Sequence, residues 1–316
     1  MKKEQKIHSV DFKVTASGYG AVNWNGSISI MKDGKVLKNH SMPKIRGFHP
    51  TDKNGKYHDI EKIDLSGCNL YVSSNCTLYH AYKEHNFDAQ IGVENKENLL
   101  KLIPSEIGLV KGYVGTENKL NVKKTAPLSS LDLIDQLNNY NFEQFSNRRK
   151  GGKDNNSIFS KTTFGDTLYE GKCTISIEEL QFISLDRKFE NCAFDASNKE
   201  GIQLSKDIEK FLKEKSGNPD VKATFHPNYV QVGTIFQEGE KGILLNDAAM
   251  DVLVDLTIDR FKNLYIRQGK GYLVVDNVEV DYNSGAPMRI FKDKTSADPV
   301  KKYPYFTYFK AVDLQK

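Results

Sequence analysis

Four histidines are the first residues in this sequence that could act as an acid or a base near neutral pH. An enzyme that cleaves RNA needs one group to activate a ribose 2′-hydroxyl and another to protonate the leaving oxygen. The candidates lie in or near predicted loops or strand ends, and they are His8, His49, His58 and His226. Because no sequence spacing pairs any two of them, we predict no catalytic centre.

Cofactor and metal motifs are missing from the chain as well. It contains no G-x-x-x-x-G-K-[ST], H-E-x-x-H or G-x-S-x-G segment, and its four cysteines form no C-x-x-C pair. Asp251 and Asp255 would share one helical face, but a solvated charged surface explains them better than a metal site. We therefore predict no cofactor, no metal site and reduced cysteines.

Basic residues cluster near aromatic rings in two regions. Cations suit contacts with phosphates, and rings stack on unpaired bases. The first region contains Lys44, Arg46, Phe48 and His49. The second contains Lys111, Tyr113, Lys123, Lys124, Arg148, Arg149, Lys150, Lys153 and Lys161. We predict that both regions bind RNA and that Trp24 could stack on a base, although surface loops and ordinary packing remain alternatives.

A third cluster, four basic residues and a tyrosine, begins near the C-terminus of a predicted helix and contains Arg260, Lys262, Arg267, Lys270 and Tyr272. Cations near a helix C-terminus complement the helix dipole whatever the function. We therefore interpret this group as structural.

The overall charge is only mildly basic, at +4 from 45 basic and 41 acidic residues. This excludes a histone-like polycation and leaves the clusters as the informative feature. No apolar stretch follows the basic start, and no run approaches the roughly 18 apolar residues of a membrane helix. We expect a cytoplasmic protein without a membrane partner.

Apolar periodicity predicts the elements that must position these residues. The predicted strands and hairpins are His8–Thr15, Gly108–Val114, 169–185, 225–245 and Tyr272–Tyr282. The predicted helices begin at the caps Ser130, Ser205 and Asn246. Leu131, Ile134 and Leu137 would form the buried stripe of the first of these helices.

Strands and helices are interleaved without long apolar parallel strands, which predicts an α+β fold with one antiparallel sheet. A ferredoxin-like or RNA-recognition-type β-α-β unit fits the order of elements. We predict one domain over residues 1–316, with insertions at 31–66 and 140–165.

Several segments resemble one protein family. They are VDFKVTASGYGAVNWNGS, GLVKGYV, KKTAPLSSLDLID and FGDTLYEGKCTISIEELQFI. Together they resemble the repeating backbone subunit of Cascade, the multi-subunit CRISPR RNA-guided complex, and most closely that of the minimal type I-F variant. The resemblance covers most of the chain.

The resemblance implies an RNA-recognition-motif-like palm with finger-like and thumb-like insertions, the thumb being the 225–245 hairpin or the 31–66 insertion. Copies would polymerise along CRISPR RNA and present the guide for pairing with target DNA, while other Cascade subunits cap the ends. Subunits of this kind do not cut RNA. Lys111, Lys123 and Lys124 match basic positions near the palm, and Arg46 and His49 lie where finger insertions occur.

Two other functions remain open at this stage. One is an endoribonuclease of related fold that processes the CRISPR RNA precursor. The other is a virion structural protein that assembles without nucleic acid.

Overall fold

The structure is a computed structural model of the 316-residue chain. It describes residues 5–20, 23–32, 35–41, 62–83, 95–115, 122–143, 161–186, 194–235, 238–268, 271–283 and 301–313. Elements are numbered in chain order. Within these ranges, no helix combines the length and apolar character needed to cross a membrane.

A curled antiparallel sheet of nine described strands forms the larger part of the fold. In spatial order its strands are β15 Tyr265–Gln268, β16 Gly271–Asn283, β1 Ser9–Tyr19, β11 Asp166–Ser176, β8 Leu133–Asp135, β4 Lys62–Val72, β2 Asn23–Lys32 and β3 Lys35–Ser41, and β7 Leu128–Ser130 also pairs with β11. The sequence-based prediction of a mixed fold around an antiparallel sheet is therefore confirmed.

Strand β1 is an interior strand of this sheet, and its alternating pattern suits burial on one face. Val10, Phe12, Val14 and Ala16 are fully buried, while the residues between them face outward. Both β11 and β16 pair with β1 along its full length. The strand predicted at His8–Thr15 is confirmed and extends to Tyr19.

A second antiparallel sheet has the order β12 Phe182–Ser184, β14 Glu240–Leu245, β13 Ala223–Gln231 and β17 Phe309–Ala311. Two further strand pairs are β5 Tyr113–Gly115 with β6 Val122–Lys124, and β9 Tyr140–Glu143 with β10 Lys161–Phe164. Because β13 and β14 pair directly, the hairpin predicted over 225–245 is confirmed for its two strands. Its role as a thumb stays a prediction, as do the proposed insertions.

The described helices are α1 Ser74–Ala81, α2 Lys96–Leu102, α3 Ile177–Gln181, α4 Asn198–Ser216 and α5 Asp247–Lys262. Helix α5 begins at the predicted cap, where the Asn246 side chain accepts a hydrogen bond from the Ala249 amide at 3.0 Å. Its Phe261 ring packs edge-on against Phe12 at 5.0 Å between centroids, which seats the helix on the larger sheet.

Helix α4 begins earlier than predicted. Ser197 and Glu200 form a capping box, so Ser197 and not Ser205 is the N-cap. Ser205 lies buried inside the helix, where its hydroxyl donates to the Ile202 carbonyl at 2.8 Å. The predicted end is correct, because Gly217 adopts φ +66° at the C-cap.

The predicted helix from Ser130 is wrong. Leu131, Ile134 and Leu137 are exposed at 61%, 45% and 51%, and the segment forms the short strands β7 and β8. The buried Asp135 carboxylate instead accepts hydrogen bonds from the amides of Asn138 and Leu168, both at 2.9 Å. Such side-chain to backbone bonds compete with helix formation.

The strand predicted at Gly108–Val114 is wrong over its first part. Residues Ile107–Lys111 form a π-helical turn, and only Tyr113–Gly115 is extended. A Cβ on Gly108 would lie 2.1 Å from the Leu102 carbonyl oxygen. The glycine therefore allows the turn to pack against the end of α2, which the local apolar pattern does not reveal.

A C-terminal segment, residues 301–313, joins the two sheets, and we call it the strap. Tyr305 forms a bridge with Ile7 beside β1, and β17 then pairs with β13 in the second sheet. The Lys301 ammonium contacts the Asp251 carboxylate at 2.7 Å and lies 3.8 Å from the centre of the Tyr305 ring. The carboxylate of Asp251 is therefore paired with Lys301 of the strap.

Candidate nucleic-acid interface

The predicted RNA-binding residues fall into three groups in the structure. Those outside the described residues are Lys44, Arg46, Phe48, His49, Arg148, Arg149, Lys150 and Lys153. Trp24 and Lys161 lie on β2 and β10, where only the backbone is described. Lys111, Tyr113, Lys123 and Lys124 are described with their side chains. The first two groups stay predictions.

The third group converges on one hairpin, formed by β5 and β6. Tyr113 pairs with Lys124 across the hairpin, and Lys111 ends the π-helical turn just before it. Gly112 makes the turn with φ +71°, and a Cβ there would lie 2.5 Å from the Lys124 carbonyl oxygen. Only glycine fits that approach, so the backbone itself brings these basic and aromatic residues together.

The two lysines of β6 have different surroundings. Lys123 is exposed. Lys124 is half-buried, and its Nζ donates to the Leu109 carbonyl at 3.3 Å. Burial lowers the pKa of Lys124 to about 8, and the nearby Glu179 carboxylate only partly opposes this effect. Because shifted pKa values are enriched at functional sites, this half-buried lysine is a candidate ligand contact.

A cavity of about 500 Å³ opens between this hairpin and the second sheet. Its lining residues are Tyr113, Val122, Lys123, Lys124, Thr125, Glu178, Glu179, Phe182, Ser184, Phe194, Tyr229, Gln231, Thr234, Glu238, Glu240 and Phe309. A volume of this size suits a small ligand or one nucleotide. The predicted residues Tyr113, Lys123 and Lys124 therefore form one wall of a concave site.

The opposite wall was not predicted from the sequence. The rings of Phe182 and Phe309 stack at 4.3 Å, and Tyr229 meets Phe182 edge-on at 5.5 Å. The Glu178 carboxylate accepts from the Gln231 amide at 2.5 Å. Burial, and then repulsion from Glu178, raise the pKa of Glu179. These residues come from α3, β12, β13 and the strap, so no local motif could identify them.

A second exposed surface was also missed, and we call it the tyrosine face. It lies on the outer side of the larger sheet, where Tyr19 pairs with Tyr272, Tyr272 with Arg267, and Val274 with Tyr265. The three tyrosines and Val274 are 41–53% exposed. The alternation of Tyr272 and Val274 with the buried Leu273 and Val275 is the sequence signal that could have revealed this surface.

The third cluster, which we interpreted as structural from the sequence, separates into two parts of the fold. Arg260 forms a bidentate ion pair with Glu106, with both nitrogen to oxygen distances at 3.1 Å, and Glu106 is only 3% exposed. Arg267 and Tyr272 instead belong to the exposed tyrosine face. The structural interpretation therefore fits Arg260, whose charge is neutralised inside the fold.

Two of the four candidate histidines, His8 and His226, lie within the described residues, and their side chains contact different partners. The His8 ring stacks on Phe306 at 4.6 Å, and its Nδ1 lies 2.8 Å from the Tyr308 hydroxyl. The Nδ1 of His226 lies within the β13–β14 hairpin, 2.8 Å from the Asn228 carbonyl oxygen. Within the described ranges, no group of three or more His, Cys, Asp or Glu side chains could hold a metal ion.

A family model described as "Type I-Fv CRISPR-associated protein Cas7fv-like" matches residues 6–312. The chain belongs to this Cas7fv-like family. The match spans nearly the whole sequence and confirms the resemblance to a Cascade backbone subunit of the type I-F variant. The hairpin and cavity described above are therefore features of a Cas7-like subunit of Cascade.

One solved structure similar to the Cas7fv-like chain is titled "CRISPR RNA-guided surveillance complex". It is 11% identical, the match covers 72% of this chain and 71% of that chain, and the TM-score is 0.20. Because the TM-score is so low, the family assignment rests on the sequence match alone. No curated protein matches the chain.

Proposed function

We propose that this Cas7fv-like chain holds CRISPR RNA by its phosphate backbone, without cutting it, and presents the guide for pairing with target DNA. The observation that carries this proposal is the convergence of Lys111, Tyr113, Lys123 and Lys124 on one hairpin beside a cavity. Cations and rings at one site suit a single strand, whose phosphates and bases need different partners. Sequence would then be read by base pairing and not by the protein.

The central strands support an RNA-recognition-like palm. In such a unit the first strand lies between two later strands and is antiparallel to both. Strand β1 has this position between β11 and β16. The last strand of such a unit is preceded by a helix that packs on the sheet. Helix α5 precedes β16 in the chain and packs on the same sheet through Phe261 and Phe12.

Lys123 provides the most direct test of the RNA contact. Lys123→Ala should weaken binding of a CRISPR-derived RNA by roughly three- to tenfold, because an exposed cation near a phosphate is lost. The slope of log affinity against log salt should also become shallower by about 0.7 for one lost phosphate contact. Fluorescence anisotropy at several salt concentrations measures both quantities.

Lys206→Ala is the matched control, since Lys206 is an exposed lysine on α4. It should leave both the affinity and the salt slope unchanged. Equal effects of the two substitutions would mean that the hairpin adds only general positive charge. Cleavage of a labelled repeat RNA without metal would instead support the endoribonuclease.

We further propose that copies of the chain contact one another through the tyrosine face while they assemble along the RNA. Tyrosine and arginine are enriched where protein interfaces concentrate their binding energy, and Tyr19, Tyr265, Arg267 and Tyr272 combine them on one exposed surface.

The double substitution Tyr265→Ser and Tyr272→Ser should therefore shorten the RNA-bound assemblies seen by mass photometry. Binding of a single copy to a short RNA should not change, because the tyrosine face lies on a different sheet from the hairpin. Tyr79→Ser, at an equally exposed tyrosine on α1, is the control. Assemblies of unchanged length would remove this face from the interface, and assembly without RNA would favour the virion protein.

A further inference from the structure

Two oppositely charged side chains line the cavity beside the β5–β6 hairpin without contacting each other. They are Lys124 of β6 and Glu179 of α3. Beyond the larger effect of burial, each charge shifts the pKa of the other group, so the two lie near one another, but no ion pair or hydrogen bond joins them. Lys124 donates instead to the neutral Leu109 carbonyl at 3.3 Å. The space between the two charges is therefore open to a ligand.

Glu179 differs from its neighbour Glu178, which lines the same cavity. Glu178 is already engaged, because its Oε1 accepts a hydrogen bond from the side-chain amide of Gln231. Glu179 is held through its backbone, whose amide donates to the Ser176 hydroxyl at the start of α3 at 3.4 Å. Its carboxylate has no hydrogen-bonding partner within the described part of the chain. Both of its oxygens can therefore accept from a ligand.

The two charges together require a ligand with two different groups. A carboxylate only accepts hydrogen bonds, so Glu179 needs a donor, whereas a phosphate offers acceptors and suits a lysine. A ribose phosphate carries both groups, since the sugar 2′-hydroxyl can donate and lies close to the phosphate. Acidic side chains bind the ribose 2′-hydroxyl in the same way in dinucleotide-binding proteins. A DNA strand lacks this hydroxyl and would present only phosphates to the carboxylate.

We propose that Glu179 accepts a hydrogen bond from one ribose 2′-hydroxyl of the bound strand while Lys124 and Lys123 contact the neighbouring phosphate, so that the cavity selects RNA over DNA. This inference rests on the proposed function and names the group by which the strand is recognised. The hydroxyl is the same in every ribonucleotide, so the contact ignores base sequence. The cavity volume of about 500 Å³ is large enough for a ribose phosphate.

A cationic side chain of a protein partner is the other ligand that a carboxylate would attract. Lys123 and Lys124 line the same cavity and would repel that cation, whereas they attract a phosphate. The ligand does not need to stack on a ring, because Phe182 is 7% exposed and packs against Phe309 and Tyr229 as part of the wall. A ribose phosphate thus uses both charges of the cavity and leaves the aromatic packing intact.

The test compares three strands of one mixed sequence, about eight nucleotides long, on the full-length protein. They are RNA, DNA and 2′-fluoro RNA, whose sugar keeps the shape of ribose but has no hydroxyl to donate. We expect RNA to bind roughly ten- to a hundredfold more tightly than 2′-fluoro RNA, as one hydrogen bond to a charged group predicts. A second sequence with different bases should give the same ratio. Fluorescence anisotropy measures each affinity.

Glu179→Ala should remove this preference and bring the affinities for RNA and 2′-fluoro RNA within about twofold of each other. Glu178→Ala is the matched control, because it removes the same charge from the same cavity but takes away a carboxylate already paired with Gln231. It should change both affinities by the same factor and preserve their ratio. Lys124→Met should weaken the binding of both strands equally, since both carry the phosphate. Thermal unfolding of each variant separates a lost contact from a lost fold.

Equal affinity of the wild-type protein for RNA and 2′-fluoro RNA would overturn this inference and leave the proposed function intact. This holds even if DNA binds more weakly, because the shape of the strand would then account for the preference. A preference that persists in Glu179→Ala, or that is lost in Glu178→Ala, would place the hydroxyl contact elsewhere and would also overturn the inference. Failure of the wild-type protein to bind any of the three strands would overturn the proposed function as well.

Discussion

Arg260→Ala should lower the free energy of unfolding by about 3–5 kcal/mol, the typical cost of leaving a buried charge without its partner. The guanidinium donates from two nitrogens to both Glu106 oxygens at 3.1 Å, and Glu106 is 3% exposed. Without Arg260 the carboxylate must stay unpaired, or water must enter between α5 and the π-helical turn. Urea unfolding followed by circular dichroism measures the loss.

Removal of the acidic partner, by Glu106→Ala, should lower the free energy of unfolding by less than Arg260→Ala. Arg260 is 22% exposed, so after Glu106→Ala its guanidinium can turn toward water, which the Glu106 carboxylate cannot do. Replacing both residues with apolar ones, Glu106→Leu with Arg260→Met, should recover much of the loss, since the penalty comes from the unpaired charge. Lys262→Ala, at an exposed lysine in the same helical turn, should leave the unfolding curve unchanged. Equal losses from Arg260→Ala and Lys262→Ala would show that the ion pair contributes nothing.

The parts of the fold that follow from sequence are those where one local rule acts alone. The alternation of Val10, Phe12 and Val14 defines a half-buried strand, and β1 has that pattern in the structure. Asn246 ahead of a long apolar stripe defines the start of α5 in the same way. Neither inference requires knowledge of distant residues.

Prediction failed where distant partners decided the backbone. Leu131, Ile134 and Leu137 have helical spacing, yet pairing with β11 and β4 keeps this segment extended. Asp132 accepts from the Ser74 amide at 2.8 Å, a bond to a residue 58 positions away. Such long-range contacts outweigh the small differences in helix propensity between residues.

The candidate site likewise has one part that is local in sequence and one part that forms only in the folded chain. Tyr113, Lys123 and Lys124 are close in sequence, so a pattern of cations and rings was enough to group them. Phe182 and Phe309 are more than a hundred residues apart and meet only because the strap pairs with β13. The acidic and aromatic wall could therefore be identified only from the tertiary structure.

Lys124→Met should stabilise the protein at pH 7 while it weakens RNA binding. Burial lowers the pKa of Lys124 from 10.5 to about 8, so the fold holds this side chain protonated at neutral pH against its surroundings. At about 1.4 kcal/mol per pKa unit, the removal of that cost should add roughly 3–4 kcal/mol to the free energy of unfolding. The lost hydrogen bond to the Leu109 carbonyl would offset about 1 kcal/mol of this gain.

The pH dependence separates this effect from ordinary packing. Between pH 8 and 10.5 the unfolded chain binds more protons at Lys124 than the folded chain does, so the stability of the wild-type protein should rise with pH across this window. The variant lacks the group, so its advantage should be complete below pH 8 and should disappear near pH 10.5. Lys123→Met, at the exposed neighbour, should show neither the gain nor the pH dependence.

A Lys124→Met variant less stable than the wild type at pH 7 would show that Lys124 supports the hairpin. A more stable variant that binds RNA poorly would mean that this lysine is kept for its ligand at the expense of the fold.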